Sequence, residues 1–286
     1  DLHSFPTRRS SDLSFLKSFG QESFLTPQDR EVASMVHSYS YGWYGQASYE
    51  LAGENVIEAL VGCQSVYSEK TGQRVDIVKE PLQLQVQPHP NGYTVRSNVN
   101  LEQAKATGYN ITEQGDKQVT VVKVSNNQKK MLELLREVLV FPKESKQQLT
   151  TLLQQLSSDF MVMSPLLKNA TELKRVESCP KIAVQIAPDE DHLFNVTLAV
   201  KPFGDKPPYQ KPAKGMEIVS TTIDGEKVQT ERDLKTESQN LKAVEEMLGD
   251  ANENPMYDNR WHIDTAECLE LLERIRQKPE VAFVEL

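Results

Sequence analysis

Residues 194–235 read FNVTLAVKPFGDKPPYQKPAKGMEIVSTTIDGEKVQTERDLK. The first part is predicted to be a strand with Phe194, Val196, Leu198 and Val200 on one face, because successive strand side chains point to opposite faces. Residues 202–215 then hold four prolines and two glycines. Since proline fixes φ and removes a backbone donor, this part is predicted to be an ordered loop or a sheet margin.

The second half of the same stretch predicts a hairpin followed by a helix. Residues 216–223 and 226–230 have the composition of strands, and Asp224-Gly225 between them is a dipeptide typical of a two-residue hairpin turn. Asp233 is a plausible N-cap for a helix that begins at Leu234. The local rules agree over this stretch, so they predict its fold more firmly than its function.

Several segments resemble the region that precedes the motor in a family of large bacterial SNF2-type helicases of the DEAD/DEAH-box class. The most specific resemblance lies in residues 198–235, and the whole covers most of residues 24–286. The segments are LAVKPFG (198–204), PPYQKPAKG (207–215), IDGEKVQTERDLKTE (223–237), WHIDTAECLELLERIR (261–276), VAFVE (281–285) and, upstream, VIEALVGCQSVYSEKTGQRVDIVKEPLQLQV (56–86).

The resemblance implies a parent protein that translocates on duplex DNA by using ATP and Mg²⁺ in its motor. Family members continue into a segment like Trp-Pro-Glu-Gly and then into the ATPase, whereas this sequence ends at Leu286. We therefore expect a bacterial fragment truncated at its C-terminal end. Its implied partners are DNA and its own C-terminal motor domain, and it is expected to hold no cofactor itself.

Composition limits the classes of protein that this chain can belong to. The 286 residues are 38% hydrophobic, which is enough for a sizeable core divided over two or more units. No apolar run approaches the roughly 20 residues that span a bilayer, and no secretory signal is seen. The three cysteines are widely spaced, so neither a disulfide framework nor a zinc site is expected. A cytoplasmic location without membrane association is the expectation.

The net charge of −9 argues against a broad DNA-binding face. Proteins that grip a phosphate backbone over a large surface usually carry a basic excess, because neutralised phosphates supply most of the non-specific affinity. Any contact with nucleic acid is therefore expected to be local.

The predicted fold class is α+β, with a helical N-terminal part, a small antiparallel sheet, a helical pair, and a C-terminal α+β unit that contains a β-hairpin and two helices. The predicted segments are residues 1–13 as an artefact, 14–73 as helical, 74–126 as a small antiparallel β segment, 127–167 as a helical pair, 168–180 as a connector, and 181–286 as the C-terminal α+β unit.

Two of these segments carry further interpretations. Residues 1–13 (DLHSFPTRRSSDL) resemble translated sequencing-adapter contamination and are set aside. Aromatic residues cluster at Tyr39, Tyr41, Trp43, Tyr44 and Tyr49. They are suited either to stacking on single-stranded bases or to packing between helices. We favour packing, because no Lys or Arg lies between residues 31 and 70.

Two helix starts are marked by capping residues. Thr26-Pro27 is predicted to open one helix, and Asp264 with Glu267 is predicted to form a variant capping box for another. In the second helix, Leu269, Leu272 and Ile275 are predicted to line the buried side.

Residues 189–192 spell Asp-Glu-Asp-His after an apolar strand, which is how helicase motors present a metal-binding carboxylate. No G-x-x-x-x-G-K-[ST] precedes this segment, so nothing would hold the phosphates that such a carboxylate serves. Pro188 also breaks the strand, and the spacing to the next strand suits a hairpin. We interpret the segment as an acidic turn.

The remaining candidate site is the proline-containing loop with its hairpin. Lys206, Lys211 and Lys214 lie near Tyr209 with no acidic residue between 206 and 214, and Arg232 follows the hairpin. These five residues are candidates for contact with a phosphate backbone or with the adjacent motor. The alternative is an ordinary surface loop whose lysines are merely solvated.

We expect neither catalytic nor metal-binding residues in this chain, since its histidines and cysteines follow no known catalytic spacing. The predicted function is a non-catalytic accessory region of the helicase, which positions DNA or regulates the motor. The alternative is a protein-interaction module without a nucleic-acid role.

Overall fold

A computed structural model describes most of the chain. The described residues are 10–20, 22, 25–41, 46–53, 55–63, 66–68, 71–115, 117–137, 140–170, 173–188, 193–204, 206–248, 260–275 and 278–285. The chain forms two compact units, the first from residues 1–80 and 99–129, the second from residues 81–98 and 130–286.

Helices and strands are mixed along the chain, which confirms the predicted α+β class. The helices are α1 (Ser10–Phe19), α2 (Pro27–Ser34), α3 (Val56–Ala59), α4 (Leu101–Thr107), α5 (Asn126–Glu137), α6 (Lys146–Leu156), α7 (Leu234–Leu248) and α8 (Thr265–Ile275). The strands are β1 (Val36–Tyr41), β2 (Gln46–Leu51), β3 (Asp76–Lys79), β4 (Gln83–His89), β5 (Gly92–Ser97), β6 (Tyr109–Gln114), β7 (Gln118–Lys123), β8 (Phe141–Pro142), β9 (Met161–Met163), β10 (Lys174–Arg175), β11 (Cys179–Pro188), β12 (Leu193–Lys201), β13 (Ile218–Ile223), β14 (Glu226–Glu231), β15 (Arg260–Asp264) and β16 (Val281–Glu285).

The first unit has one core between its helices and two small sheets. Strands β1 and β2 form an antiparallel hairpin, and β3, β7 and β6 form a three-stranded sheet in that order, with β3 parallel to β7. The largest buried apolar side chains of this core are Leu13, Leu16, Val32, Val36, Ile57, Leu60, Val66, Val75, Ile77, Val119 and Val121. Helix α1 begins at Ser10, so Leu13 of the stretch set aside as an artefact belongs to this core.

The prediction that residues 14–73 are helical is wrong in its middle. Val36–Tyr41 and Gln46–Leu51 form the antiparallel strands β1 and β2. Residues 37–41 alternate serine with histidine and tyrosine, a pattern that suits a pleated surface better than a helix. The side chains of four of the five clustered aromatics lie outside the described residues. The fifth, Tyr49, is partly buried against the core of the first unit.

The prediction of one small antiparallel sheet over residues 74–126 is also corrected. Strands β3, β6 and β7 belong to the first unit, whereas the β4–β5 hairpin belongs to the second. The β3–β7 pairing is parallel, and helix α4 interrupts the segment, capped by the side chain of Asn100. Alternation along a strand identifies its buried face but not its partner, so the sequence pattern alone does not resolve this division.

The second unit contains two sheets. A seven-stranded sheet has the order β10-β14-β13-β9-β4-β5-β8, and a four-stranded sheet has the order β15-β12-β11-β16. Helices α7 and α8 pack on the four-stranded sheet through one apolar core. The largest buried members of that core are Ile182, Val184, Ile186, Val196, Leu198, Val200, Val244, Leu248, Trp261, Ile263, Leu271 and Ile275.

The C-terminal segment 181–286 is therefore not a self-contained unit. Its hairpin, β13–β14, pairs with β9, where Val219 lies opposite Met163, and so completes a sheet begun far upstream. The predicted connector 168–180 contains β10, which pairs in parallel with β14. The segment predicted as a helical pair, residues 127–167, contains α5 and α6 and also the short strands β8 and β9.

The described helices give no indication of a membrane-spanning segment, since none of them is both long and apolar enough to cross a bilayer.

Candidate functional site

The candidate site is the proline-rich loop, defined here as residues 202–217, which joins β12 of the four-stranded sheet to β13 of the seven-stranded sheet. Val200 and Gln210 exchange two backbone hydrogen bonds with N–O distances of 2.9 and 3.0 Å. Phe203 is buried against Met161 and Met163. The described part of the loop is therefore fixed by main-chain pairing on one side and by apolar packing on the other.

A buried ion pair lies beneath this loop. Arg232 Nε donates to Glu237 Oε1 at 3.0 Å, and Arg232 Nη2 donates to Glu237 Oε2 at 2.6 Å. Both side chains are 0% exposed. A bidentate pair of a guanidinium with a carboxylate is among the strongest hydrogen-bonded arrangements in proteins. It needs further partners when buried, because desolvation of both charges is costly.

Those further partners come from the main chain of the proline-rich loop. Arg232 Nη1 donates to the carbonyl of Lys214 at 2.8 Å, and Nη2 donates to the carbonyl of Lys211 at 3.0 Å. The backbone N–H of Ala213 donates to Glu237 Oε2 at 2.9 Å. The pair thus bonds the loop main chain at three residues, Lys211, Ala213 and Lys214, and these bonds compensate for the burial of its charges.

Local structure brings the two charged residues together. Arg232 directly follows β14, and Glu237 lies in the first turn of α7, five residues later. Asp233, which lies between the two residues in sequence, caps α7, since its side chain accepts a hydrogen bond from the backbone N–H of Thr236 at 2.9 Å. The hydroxyl of Thr236 also donates to Asp233, and this bond lowers the pKa of Asp233. The predicted cap at Asp233 is confirmed.

The structure separates the five candidate contact residues into two groups. Lys206, Lys211 and Lys214 are exposed on the proline-rich loop, whereas Arg232 is buried beneath it and does not belong to that surface. Tyr209 is half-buried and lies 5.1 Å from Lys201 Nζ, measured to the ring centroid, in a cation–π contact. The sequence pattern did not distinguish a buried guanidinium from an exposed one, and it did not indicate a role for Glu237.

The exposed lysines lie in a mixed electrostatic surrounding. Lys206 pairs with Asp224 at the hairpin tip, and this hydrogen-bonded carboxylate raises the pKa of Lys206. Two further exposed pairs flank the hairpin, Lys174 with Glu226 at 2.7 Å and Lys168 with Glu231 at 2.5 Å. Exposed pairs of this kind stabilise little, but they reduce the local excess of positive charge.

The segment predicted as an acidic turn, residues 189–192, lies outside the described residues. The strands on either side, β11 and β12, are antiparallel, with Pro188 opposite Phe194. This pairing agrees with the hairpin that the spacing predicted.

A second polar cluster lies in the first unit, around Glu58 of the short helix α3. Lys79 Nζ and Lys123 Nζ contact its two carboxylate oxygens at 2.7 and 2.6 Å. The hydroxyl of Tyr109 lies 3.2 Å from Glu58 Oε2 and 3.1 Å from the side-chain oxygen of Asn55. Hydrogen bonds from Lys123 and then Lys79 lower the pKa of Glu58 to about 2. The cluster fixes α3 to the end of the three-stranded sheet.

We expect the Glu58→Gln variant to be less stable than the wild type at neutral pH, by about 1 kcal/mol, because both lysines are half exposed and solvent screens the pairs. Because the pKa of Glu58 is lower in the folded protein than its unfolded value of about 4.3, the ionised carboxylate stabilises the fold at pH values above that unfolded pKa. This contribution is lost as the pH falls from there through about 2. Urea unfolding of both proteins between neutral pH and pH ~2 should show the two stabilities converging. A difference independent of pH would contradict the assignment.

The described residues contain no group of three or more His, Cys, Asp or Glu side chains arranged to hold a metal ion. Comparison with protein-family models, with curated proteins and with solved structures finds no match to this chain.

Proposed function

We propose that this chain is a non-catalytic accessory region of a bacterial SNF2-type, ATP-dependent DNA helicase or translocase, where it positions DNA or regulates the motor. The observation that carries the proposal is the proline-rich loop, where the main chain that bears the exposed Lys211 and Lys214 is held by the buried Arg232–Glu237 pair. Binding residues often lie on loops that a rigid scaffold positions. The resemblance of residues 198–235 to the helicase family suggests the kind of partner.

The proposed role does not include ATP turnover by this chain. Its sequence contains no phosphate-binding G-x-x-x-x-G-K-[ST] segment, and such a segment is what cradles the nucleotide phosphates in this class of motor. ATP and Mg²⁺ are therefore assigned to the motor of the parent protein, and the cytoplasm of a bacterium is the proposed location.

Contact with DNA through this loop would be independent of base sequence. Lysine ammonium groups act as point charges on phosphate oxygens, whereas reading of base edges usually relies on bidentate side chains. The exposed Lys206–Asp224 pair is no obstacle, because such pairs exchange partners at little cost. The proposal is therefore a small, electrostatic contact that adds to the grip of the motor.

We expect the chain to bind a short DNA duplex weakly at low salt and to lose that binding when Lys206, Lys211 and Lys214 are all replaced by Ala. If the three lysines neutralise three phosphates, the affinity should fall about forty-fold between 50 and 200 mM salt, from a slope of roughly 0.9 per phosphate. Mobility-shift titrations at several salt concentrations measure both quantities.

A charge-matched control is the triple variant Lys130→Ala/Lys143→Ala/Lys146→Ala, which removes three exposed lysines outside the loop. It should keep the wild-type affinity and salt slope. Equal losses in the two triple variants would show that net charge, not the loop, governs binding.

The second candidate function is a protein-interaction module without a nucleic-acid role. The observation that favours it is the net charge of −9. Absence of duplex binding even at low salt would support this function and would overturn the DNA-positioning proposal.

A further inference from the structure

We infer that Arg232 and Glu237 are positioning residues, which hold the main chain of the proline-rich loop so that Lys206, Lys211 and Lys214 are presented as one exposed surface. The inference rests on the proposed function only for what the lysines bind. The positioning itself concerns the conformation of the loop and can be measured without a ligand.

The contacts of the pair are selective for the loop. Apart from their contacts with each other, the two side chains bond the carbonyls of Lys211 and Lys214 and the N–H of Ala213. These main-chain groups belong to two of the lysines and to Ala213, one of the two residues between them. The bonds that satisfy the buried charges therefore also fix the loop main chain at Lys211, Ala213 and Lys214.

The pair also lies where the chain passes between the two sheets of the second unit. The proline-rich loop leads from β12 in the four-stranded sheet to β13 in the seven-stranded sheet, and residues 232–233 lead back from β14 to α7. Helix α7 packs on the four-stranded sheet. The Arg232 guanidinium and the Glu237 carboxylate thus link the two segments that run between the sheets, the proline-rich loop and residues 232–233. The conformation of the loop therefore depends on the position of the start of α7.

Backbone strain in the loop gives a second, independent observation. Ala213 has a φ of +55°, a left-handed conformation that residues with a Cβ rarely adopt. Its N–H is the group that Glu237 accepts from. A strained residue persists where the surrounding structure fixes it, so the bond to Glu237 holds Ala213 in this conformation.

The decisive variant replaces both charges, as Arg232→Met/Glu237→Leu. Replacement of a buried pair by apolar side chains of similar size is often close to neutral for stability, so this variant is expected to stay folded while its loop loses three anchors. Amide hydrogen–deuterium exchange should become at least about ten-fold faster in residues 203–217. Exchange in β11 and in residues 193–199 of β12 should not change, whereas the Val200 N–H, which donates to the loop carbonyl of Gln210, should follow the loop.

Two further variants test the specificity of this result. Lys168→Met/Glu231→Leu removes an exposed pair that ends on the same strand β14, and it should leave the exchange of the loop unchanged. Ala213→Gly, added to the double variant, should restore part of the protection, because glycine adopts the left-handed conformation without strain. Wild-type exchange in the loop of the double variant would overturn the inference.

Duplex binding by the same proteins separates this inference from the proposed function. If the wild type binds the duplex, the double variant should bind about ten-fold more weakly and with a smaller salt slope, because fewer phosphates are engaged at once. If the wild type binds no duplex while the loop of the double variant exchanges faster, the positioning inference stands and the DNA role fails.

Discussion

The single substitution Glu237→Ala is expected to lower the free energy of unfolding of the second unit by about 4 kcal/mol, because it leaves the Arg232 guanidinium buried without a counter-charge. In the wild type both side chains are 0% exposed, and the carboxylate accepts two hydrogen bonds from Arg232 and one from Ala213. Alanine removes every one of these acceptors. Water then reaches the guanidinium only if the loop opens.

Fluorescence of Trp261 gives a local measurement of this loss. Trp261 is buried in the core between the four-stranded sheet and its helices, and the other tryptophan, Trp43, can be replaced by phenylalanine in all variants. Urea unfolding followed at Trp261 should show a lower midpoint for Glu237→Ala with an unchanged slope.

The matched control is Glu231→Ala, which removes a carboxylate from the exposed Lys168 pair at the end of β14. Its unfolding curve should be indistinguishable from that of the wild type, since exposed pairs contribute little. If Glu237→Ala were as stable as Glu231→Ala, the buried pair would not organise this region.

The single variant is expected to lose more stability than the double variant Arg232→Met/Glu237→Leu. Removing one charge isolates the other in a site that water does not reach, whereas removing both takes away the cost of desolvation together with the attraction. The pair therefore contributes less to stability than the single variant suggests. We expect its larger contribution to be to the conformation of the loop, which it bonds at Lys211, Ala213 and Lys214.

Local features of the sequence predicted local structure well. The Asp224-Gly225 turn, the caps at Thr26, Asp233 and Asp264, and the helix that begins at Leu234 are all present. Each of these depends on a few neighbouring residues whose backbone preferences are intrinsic. Such features are accessible from the sequence because no distant partner is needed to form them.

Non-local structure was predicted poorly, and particular residues show why. Strand β13 pairs with β9 more than fifty residues upstream, and nothing in its own sequence indicates that partner. In α8 the predicted buried stripe is wrong at Leu269, which is 61% exposed, while Cys268 and Leu271 are buried. Apolar residues occur on more than one face of this helix, so its sequence alone does not decide which face is buried.

The candidate site shows the same division. The composition predicted the proline-rich loop and its exposed lysines. It did not predict the burial of Arg232, because a count of basic residues does not show which of them are buried. The burial of Arg232 was indicated only by the combined positions of this residue, Asp233 and Glu237. Arg232 directly follows a strand, Asp233 caps the next helix, and Glu237 lies in its first turn, so the two opposite charges are placed side by side where the strand leads into the helix.

Gly92→Ala is expected to destabilise the second unit by about 3 kcal/mol, through the combined cost of a strained backbone and overpacking. Gly92 begins β5 with a φ of +150° and lies opposite Pro142 of β8. A Cβ at this position would lie 1.8 Å from the carbonyl oxygen of Phe141. Because the obstructing atom belongs to the main chain, no side-chain rotation relieves the clash, and β8 must separate from β5.

The control for Gly92 is Gly225→Ala, at the tip of the β13–β14 hairpin in the same unit. Gly225 has a φ of +81°, and a Cβ added there would meet no atom within 4 Å. This variant should cost only about 1 kcal/mol, the penalty of the left-handed conformation. Urea unfolding at Trp261 compares the two, and the excess for Gly92→Ala measures the close approach of β8. Equal losses would mean that backbone strain alone accounts for both glycines, and that the β5–β8 contact adds nothing to the stability of the sheet.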